Sequence, residues 1–128
     1  MKPETILIIE DSRANMMLTS LVLEKSGYAV LKASTAKDGI ALAHTELPVL
    51  ILMDIQLPGM NGLEATAELK ADARTRAIPI VAITAHAMSG DEKKILAAGC
   101  DAYLSKPLRH QTLLACVRTY LATPGSTE

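Results

Sequence analysis

The chain of 128 residues contains neither phenylalanine nor tryptophan, and its aromatic residues are three tyrosines, Tyr28, Tyr103 and Tyr120. A core of this composition must be built from aliphatic side chains. The length favours one domain, large enough for a real core and too short for a second. With so few aromatic residues, the chain also lacks the rings that would sandwich a flavin.

Cysteine is scarce as well. Cys100 and Cys116 are too few for a disulfide scaffold, so we interpret both as reduced thiols of a cytoplasmic protein. The three histidines, His44, His86 and His110, lack the spacing of zinc ligands.

Long apolar runs and blocks of one charge are also missing. The stretch Val49–Met53 is far too short to cross a bilayer, and the short apolar run after Lys2 and Glu4 is no signal peptide. The formal net charge is -1, and no block of Lys or Arg offers a surface for nucleic acid or an anionic membrane. The sequence therefore predicts a soluble cytoplasmic protein with no membrane insertion and no nucleic-acid partner.

The chain does contain a regular alternation of short apolar runs and amphipathic segments. Strands are predicted near 5–9, 29–33, 49–53, 79–83 and 101–105, and helices near 13–26, 36–46, 63–72, 89–98 and 109–122. Strands that are apolar almost throughout are typical of a parallel sheet covered by helices on both faces. We therefore predict an α/β domain over residues 1–122 with a doubly wound, five-stranded parallel sheet, a flexible tail over 123–128, and no output domain.

Local signals support these boundaries. Thr35 and Asp38 resemble a capping box at the start of the second helix. Gly27 and Gly99 stand where a helix commonly ends in a left-handed residue.

The first predicted helix carries more apolar side chains than one buried face requires. A stripe at helical spacing is expected to face the core, formed by Ala14, Met17, Leu18 and Leu21. Further apolar surface is added by Met16, Val22 and Leu23. Part of this surplus is expected to be core and the remainder a docking face, because methionine adapts to different partners.

Polar residues stand where four of the predicted strands end. The first strand runs into Glu10 and Asp11, the third into Asp54, the fourth into Thr84 and the fifth into Lys106. The carboxyl ends of parallel strands share one edge of the sheet, and ligands bind there. We therefore expect these five residues to converge.

The converging groups suit one kind of chemistry. Two like charges about 4 Å apart cost roughly 4 kcal/mol at an effective dielectric constant of about 20, so either a proton or a cation must neutralise the carboxylates. Oxygen ligands in a half-open cleft suit Mg²⁺. The Lys106 ammonium and the Thr84 hydroxyl suit a phosphoryl group, and Asp54 is placed to attack it and form an acyl phosphate.

These motifs resemble a known family. The chain is similar to the receiver domains of two-component response regulators, and most to stand-alone receivers of the CheY and DivK kind, from about residue 2 to residue 121. The resemblance is carried by Glu10-Asp11, Met53-Asp54, Ile83-Thr84-Ala85 and Ser105-Lys106-Pro107. It implies a flavodoxin-like (βα)5 fold with strand order 2-1-3-4-5.

The resemblance also implies roles at the centre of the site. Asp54 would accept a phosphoryl group from a phosphohistidine on a histidine kinase or a histidine phosphotransfer protein. Asp11, Asp54 and the backbone carbonyl of Gln56 would hold Mg²⁺, with Glu10 acting through water. Glu10 stands where the family more often has Asp.

Further roles are implied around that centre. Thr84 and Lys106 would contact the phosphoryl oxygens, and Tyr103 would be the aromatic switch that turns inward when Thr84 moves. Gln56 and His86 would tune the phosphoryl lifetime. The histidine-bearing partner would dock on the first helix, at Met16, Met17 and Leu18. The output would be a downstream protein target, because no output domain follows, and the chain would act as a monomer or weak dimer without being a turnover enzyme.

Three alternatives fit the residues less well. An Mg²⁺-dependent phosphatase with an Asp nucleophile would want a second acid where Gln56 stands, and a cap domain. A flavin-binding electron carrier would want a phosphate loop rich in Gly and hydroxyl residues where the chain has Glu10 to Arg13. A receiver that binds partners without phosphorylation stays open, although the intact set of Asp11, Asp54, Thr84 and Lys106 argues against it.

Overall fold

The computed structural model describes residues 4–85, 91–106 and 108–121. Strands and helices alternate along these residues. The strands are β1 (Thr5–Ile9), β2 (Ala29–Ala33), β3 (Leu50–Asp54), β4 (Ile80–Thr84) and β5 (Ala102–Ser105). The helices are α1 (Arg13–Lys25), α2 (Ala36–Glu46), α3 (Gly62–Ala71), α4 (Asp91–Ala97) and α5 (His110–Leu121). The expectations for His86 and for the tail over 123–128 lie outside the described residues.

The strands form one parallel sheet in the order β2-β1-β3-β4-β5. This order confirms the predicted doubly wound, flavodoxin-like arrangement and places the topological switch point between β1 and β3. β3 and β4 each begin and end one residue later than predicted. Asp54 and Thr84 are therefore the last residues of their strands rather than the first residues after them.

Helices and aliphatic side chains cover both faces of the sheet. One face packs against α2, α3 and α4, through residues such as Leu7 and Ile51. The other packs against α1 and α5, through residues such as Ile8 and Leu52. Every residue of β3 and β4 is buried, as expected for central strands that are apolar throughout. In the part of the chain that is described, no helix has the length and apolar character needed to span a membrane.

Several helix ends follow the sequence signals. The Thr35 side chain accepts a hydrogen bond from the Asp38 N–H at 3.1 Å and caps α2. Gly27 and Gly99 have φ angles of 97° and 110°, the left-handed conformation predicted for them. Leu47 ends α2 in that region too, with φ 47° and ψ 63°, which is unfavourable for a residue with a β-carbon.

Helix α1 packs through a different face from the predicted one. The buried residues of α1 are Thr19, Ser20 and Leu23, whereas the expected core stripe of Ala14, Met17, Leu18 and Leu21 does not reach the buried core. The Ser20 hydroxyl donates to the Met16 carbonyl at 2.6 Å, so this polar side chain is buried with its hydrogen bond made. Because the Ser20 hydroxyl is hydrogen-bonded within the helix, small polar residues can lie on the buried face of α1, while larger apolar residues lie on its exposed face.

Candidate functional site

Four strands deliver the predicted residues to one end of the sheet. Glu10 and Asp11 follow β1, Asp54 ends β3, Thr84 ends β4 and Lys106 follows β5. Carboxylate oxygens of Glu10, Asp11 and Asp54 lie within 4.8 Å of one another. The predicted convergence is therefore present, across residues far apart in the sequence.

The Lys106 ammonium lies close to two of these carboxylates. Its Nζ lies 2.8 Å from Oδ2 of Asp54 and 3.9 Å from Oε1 of Glu10. Its backbone N–H donates to the Thr84 carbonyl at 2.8 Å, which fixes the end of β5 beside the end of β4. Burial acts to lower the pKa of Lys106, but the hydrogen bond to Asp54 and the charges of Asp54, Glu10 and Asp11 raise it overall. Lys106 is thus a fixed cation at the buried carboxylates.

Asp54 is held in place by its own loop. Its side chain is buried, with 1% of the residue's surface exposed. Oδ1 accepts a hydrogen bond from the Gln56 N–H at 2.8 Å, and the N–H of Ile55 donates to the Ile83 carbonyl at 3.2 Å. The two carboxylate oxygens therefore have different partners, the backbone on one side and Lys106 on the other.

Glu10 is bent back towards the start of α1. It is buried, and its Oε2 accepts a hydrogen bond from the Ser12 N–H at 3.0 Å. Burial is the main cause that raises the pKa of Glu10 to about 7, and Asp54 adds to the rise. The Ser12 N–H and Lys106 act in the opposite direction without cancelling it. The extra methylene of Glu thus turns this carboxylate towards the backbone of the helix that follows.

The loop after Asp54 is clamped by a glycine that the sequence motifs did not indicate. The Gly62 N–H donates to the Ile55 carbonyl at 3.2 Å. A β-carbon at Gly62 would lie 2.5 Å from Cα of Ile55 and 2.6 Å from the carbonyl oxygen of Asp54. Directly before it, Asn61 and Glu64 form a reciprocal capping box at the start of α3. The spacing of Asn61 and Glu64 was a readable signal for this cap.

Tyr103 lies beside the site on the edge strand. It is half-buried, and its hydroxyl donates a hydrogen bond to Oε2 of Glu92 in α4. The sequence indicated Tyr103 as a site residue and Glu92 as a capping residue with Ser89, but it did not predict the contact between Tyr103 and Glu92, because no short-range pattern reports how α4 packs on β5. Thr84 is completely buried, Gln56 is exposed, and His86 is outside the described residues.

The donor set fits a divalent cation. Among the described residues, the carboxylates of Glu10, Asp11 and Asp54 cluster at the Lys106 ammonium, and a proton on Glu10, whose pKa is raised to about 7, reduces their negative charge near neutral pH. Oxygen donors within 4.8 Å of one another, with Asp11 exposed at the rim, match the preference of Mg²⁺ for a few carboxylates together with water and phosphate oxygens.

An apolar surface lies next to this cleft on α1. Met17, Leu18 and Leu21 are 67%, 58% and 47% exposed, whereas Met16 is half-buried. A cavity of about 340 Å³ separates α1 from α5 and reaches Glu10 and Lys106. Of the exposed apolar side chains, Leu18 therefore lines the same cavity as Glu10 and Lys106.

Comparison with known proteins agrees with this geometry. Residues 6–118 match the family described as the response regulator receiver domain. The chain belongs to this family, whose known role is phosphorylation on an aspartate in two-component signalling.

Individual relatives cover nearly the whole chain. The polar-differentiation response regulator DivK of Brucella anthropi is 43% identical over 119 residues, which span 93% of this chain and 97% of DivK. The receiver domain of a sensor histidine kinase from Pseudomonas aeruginosa PAO1, crystallised with a magnesium ion in its active-site cleft, is 31% identical, with a TM-score of 0.89 and coverage of 94% and 99%. A CheY-like receiver domain protein from Methanospirillum hungatei is 32% identical, with a TM-score of 0.87 and coverage of 94% and 95%.

Proposed function

We propose that Asp54 is the phosphoryl acceptor of this receiver, that the transfer depends on Mg²⁺, and that the donor is a phosphohistidine on a histidine kinase or a histidine phosphotransfer protein. The observation that carries this proposal is the buried Asp54 carboxylate, 2.8 Å from the Lys106 ammonium and within a cluster of three carboxylates. The phosphorylated chain then binds a downstream protein target in the cytoplasm. It acts as a monomer or weak dimer and turns over no external substrate.

The cation site follows from the donor set. Asp11, Asp54 and the backbone carbonyl of Gln56 would hold Mg²⁺, with Glu10 acting through water. When bound, the ion supplies positive charge at the phosphoryl oxygens. The chain's own contribution is to hold these oxygen donors in place, as the hydrogen bonds of Glu10 and Asp54 to the backbone do.

The transfer step is a nucleophilic displacement. A carboxylate oxygen of Asp54 attacks phosphorus, the phosphorus–nitrogen bond of the phosphohistidine breaks, and its electron pair returns to the imidazole nitrogen. Lys106 exchanges its contact with Asp54 for one with a phosphoryl oxygen, and the Thr84 hydroxyl donates to another. Dephosphorylation is the attack of water on the same acyl phosphate, at a rate tuned by the residues at positions 56 and 86.

The switch links this chemistry to a binding surface. As Thr84 moves towards the phosphoryl group, Tyr103 turns inward and changes the surface formed by β5 and α4. To move such an equilibrium from 1:99 to 99:1 takes about 5.5 kcal/mol of differential stabilisation, which several charge-assisted hydrogen bonds supply.

The donor protein docks on α1. Met17 and Leu18 present exposed apolar surface beside the cleft, and Met16 contributes the edge of its half-buried side chain. Exposed apolar patches of this kind mark interaction sites. The cavity between α1 and α5 runs from this surface to Lys106, which supports a docking mode that brings a phosphohistidine to Asp54.

The test is the intact mass after incubation with Mg²⁺ and acetyl phosphate, with Asp54→Asn as the matched variant. One added phosphoryl group, absent without Mg²⁺ and absent in the variant, is expected. If the aspartyl phosphate is too short-lived to detect by mass, binding of beryllofluoride is measured instead, because it mimics the aspartyl phosphate without turning over. Failure of the wild-type chain to bind Mg²⁺ and beryllofluoride would overturn the proposal and favour a module that works without phosphorylation.

A further inference from the structure

Glu92 and Tyr103 form a contact that the phosphoryl chemistry does not use. The Tyr103 hydroxyl on β5 donates to Oε2 of Glu92 on α4. Glu92 is exposed, whereas Tyr103 is half-buried and packs against the core cluster beneath α2, α3 and α4. The hydrogen bond therefore fixes the hydroxyl end of the ring at the surface of the protein.

The register of the sheet connects this ring to the reactive end. Tyr103 pairs with Ala82 across β4 and β5, and Thr84 lies two residues further along β4. Paired residues in parallel strands, and residues two apart on one strand, share a face of the sheet. Tyr103, Ala82 and Thr84 therefore lie on the same face. Because Ala82 has only a methyl side chain, a movement of Thr84 changes the space open to the ring.

We propose that Glu92 is a positioning residue that holds Tyr103 outward in the unphosphorylated chain and so sets the ratio of resting to activated conformations. This inference rests on the proposed function, in which Tyr103 turns inward after phosphorylation. The inward turn breaks the hydrogen bond to Glu92, so the bond stabilises the resting state alone and lowers the population of the activated state.

The chemistry of the pair suits this role. The hydrogen bond from Tyr103 to Glu92 is the main cause that raises the pKa of the Tyr103 phenol, with burial and the charge of Glu92 adding to it. The phenol therefore stays a donor at physiological pH. A carboxylate acceptor makes a stronger hydrogen bond than a neutral one, and exposure to water reduces that strength.

Beryllofluoride, as a mimic of the aspartyl phosphate, binds the activated state. Its apparent affinity at fixed Mg²⁺ is proportional to the fraction of the chain in that state, so the affinity measures this fraction. Glu92→Ala is expected to bind beryllofluoride roughly three- to tenfold more tightly, the effect of one charge-assisted hydrogen bond at an exposed site. Glu92→Gln keeps an oxygen acceptor without the charge and is expected to show a smaller gain. Lys93→Ala, at the next exposed position of α4, is the control and is expected to match the wild type.

Two further measurements separate positioning from a general effect on α4. In a Tyr103→Phe background the Glu92→Ala gain is expected to vanish, because the hydroxyl is already absent. In ¹H–¹³C spectra of the tyrosine rings, Glu92→Ala without any ligand is expected to move the Tyr103 resonance towards its position in the beryllofluoride complex.

Equal affinities for wild type and Glu92→Ala, or a gain that persists in the Tyr103→Phe background, would overturn the inference and leave the phosphoryl chemistry intact. If the wild-type chain bound no beryllofluoride, the proposed function would fall. The ring spectra would still decide the position of Tyr103, and a resonance unmoved by Glu92→Ala would overturn the inference by itself.

Discussion

The ammonium of Lys106 lies 2.8 Å from the carboxylate of Asp54, although the two residues are 52 positions apart in the sequence. This pair joins the end of β5 to the end of β3 across β4. Asp54 is 1% exposed, so Lys106 compensates a charge that is otherwise costly to bury. The residues around this pair therefore control both the charge and the shape of the cleft.

Glu10 makes the metal-free protein sensitive to pH. Its pKa is about 7 in the folded chain against an ordinary value of 4.5, so its carboxyl favours folding at low pH, and this advantage is lost as pH rises from 4.5 through 7. In EDTA, Glu10→Gln is expected to match the wild type near pH 4.5 and to exceed its free energy of unfolding by about 2–3 kcal/mol at about pH 8, at roughly 1.36 kcal/mol per pKa unit. Urea unfolding at both pH values measures this, and an advantage that is independent of pH would contradict it.

Gly62 is expected to be required for the geometry of the cleft. In Gly62→Ala the new β-carbon meets backbone atoms of Ile55 and Asp54, so the loop must shift. We expect a loss of about 1–3 kcal/mol in stability and at least a tenfold weaker affinity for Mg²⁺ and beryllofluoride. Gly59→Ala is the control. Its φ of 76° is unfavourable for alanine, so this variant is also expected to lose stability. Because nothing lies within 4 Å of the added β-carbon, its affinity for Mg²⁺ and beryllofluoride is expected to stay unchanged.

The exposed face of α1 is expected to affect transfer from a protein donor alone. The double variant Met17→Ser, Leu18→Ser removes apolar surface that is already exposed, so its stability is expected to change by at most about 0.5 kcal/mol per site. With a histidine phosphotransfer domain that phosphorylates the wild-type chain, we expect transfer to slow at least tenfold, while the rate with acetyl phosphate stays unchanged. Equal slowing with both donors would place the effect in the cleft instead of on the docking face.

Leu47 is expected to be a site of stabilisation. Its φ is 47°, and a left-handed residue with a β-carbon costs roughly 1–2 kcal/mol. Its side chain is 54% exposed, so burial offsets little of this strain. Leu47→Gly is expected to raise the free energy of unfolding by about 0.5–1 kcal/mol, and Leu47→Ala, which keeps the β-carbon, is expected not to. Thermal unfolding of both variants separates backbone strain from loss of the side chain.

Most of the fold was predictable from the sequence because strong signals recur in it. Apolar runs that end in Asp54 and Thr84 predict buried parallel strands and their approximate lengths, with errors of one residue where the strand includes its functional end. Which face of α1 is buried was not predictable. Average hydropathy places Met17 inside and Ser20 outside, whereas the Ser20 hydroxyl is paired within the helix and is buried.

The candidate site, too, was predictable only in part. The convergence of Glu10, Asp54 and Lys106 was predictable because the carboxyl ends of parallel strands meet at one edge of the sheet. The hydrogen bond between Glu92 and Tyr103 depends on how α4 lies against β5, which no local pattern encodes.

The order of the strands has a consequence for the newly made chain. β1 and β3, which carry Glu10 and Asp54, lie early in the sequence, whereas the Lys106 ammonium arrives with β5 at the edge of the sheet. During synthesis, Glu10 and Asp54 are therefore made well before Lys106, and a fragment that ends before β5 lacks the ammonium that pairs with Asp54. The ion pair between Asp54 and Lys106 therefore forms only in chains whose synthesis has run past β5.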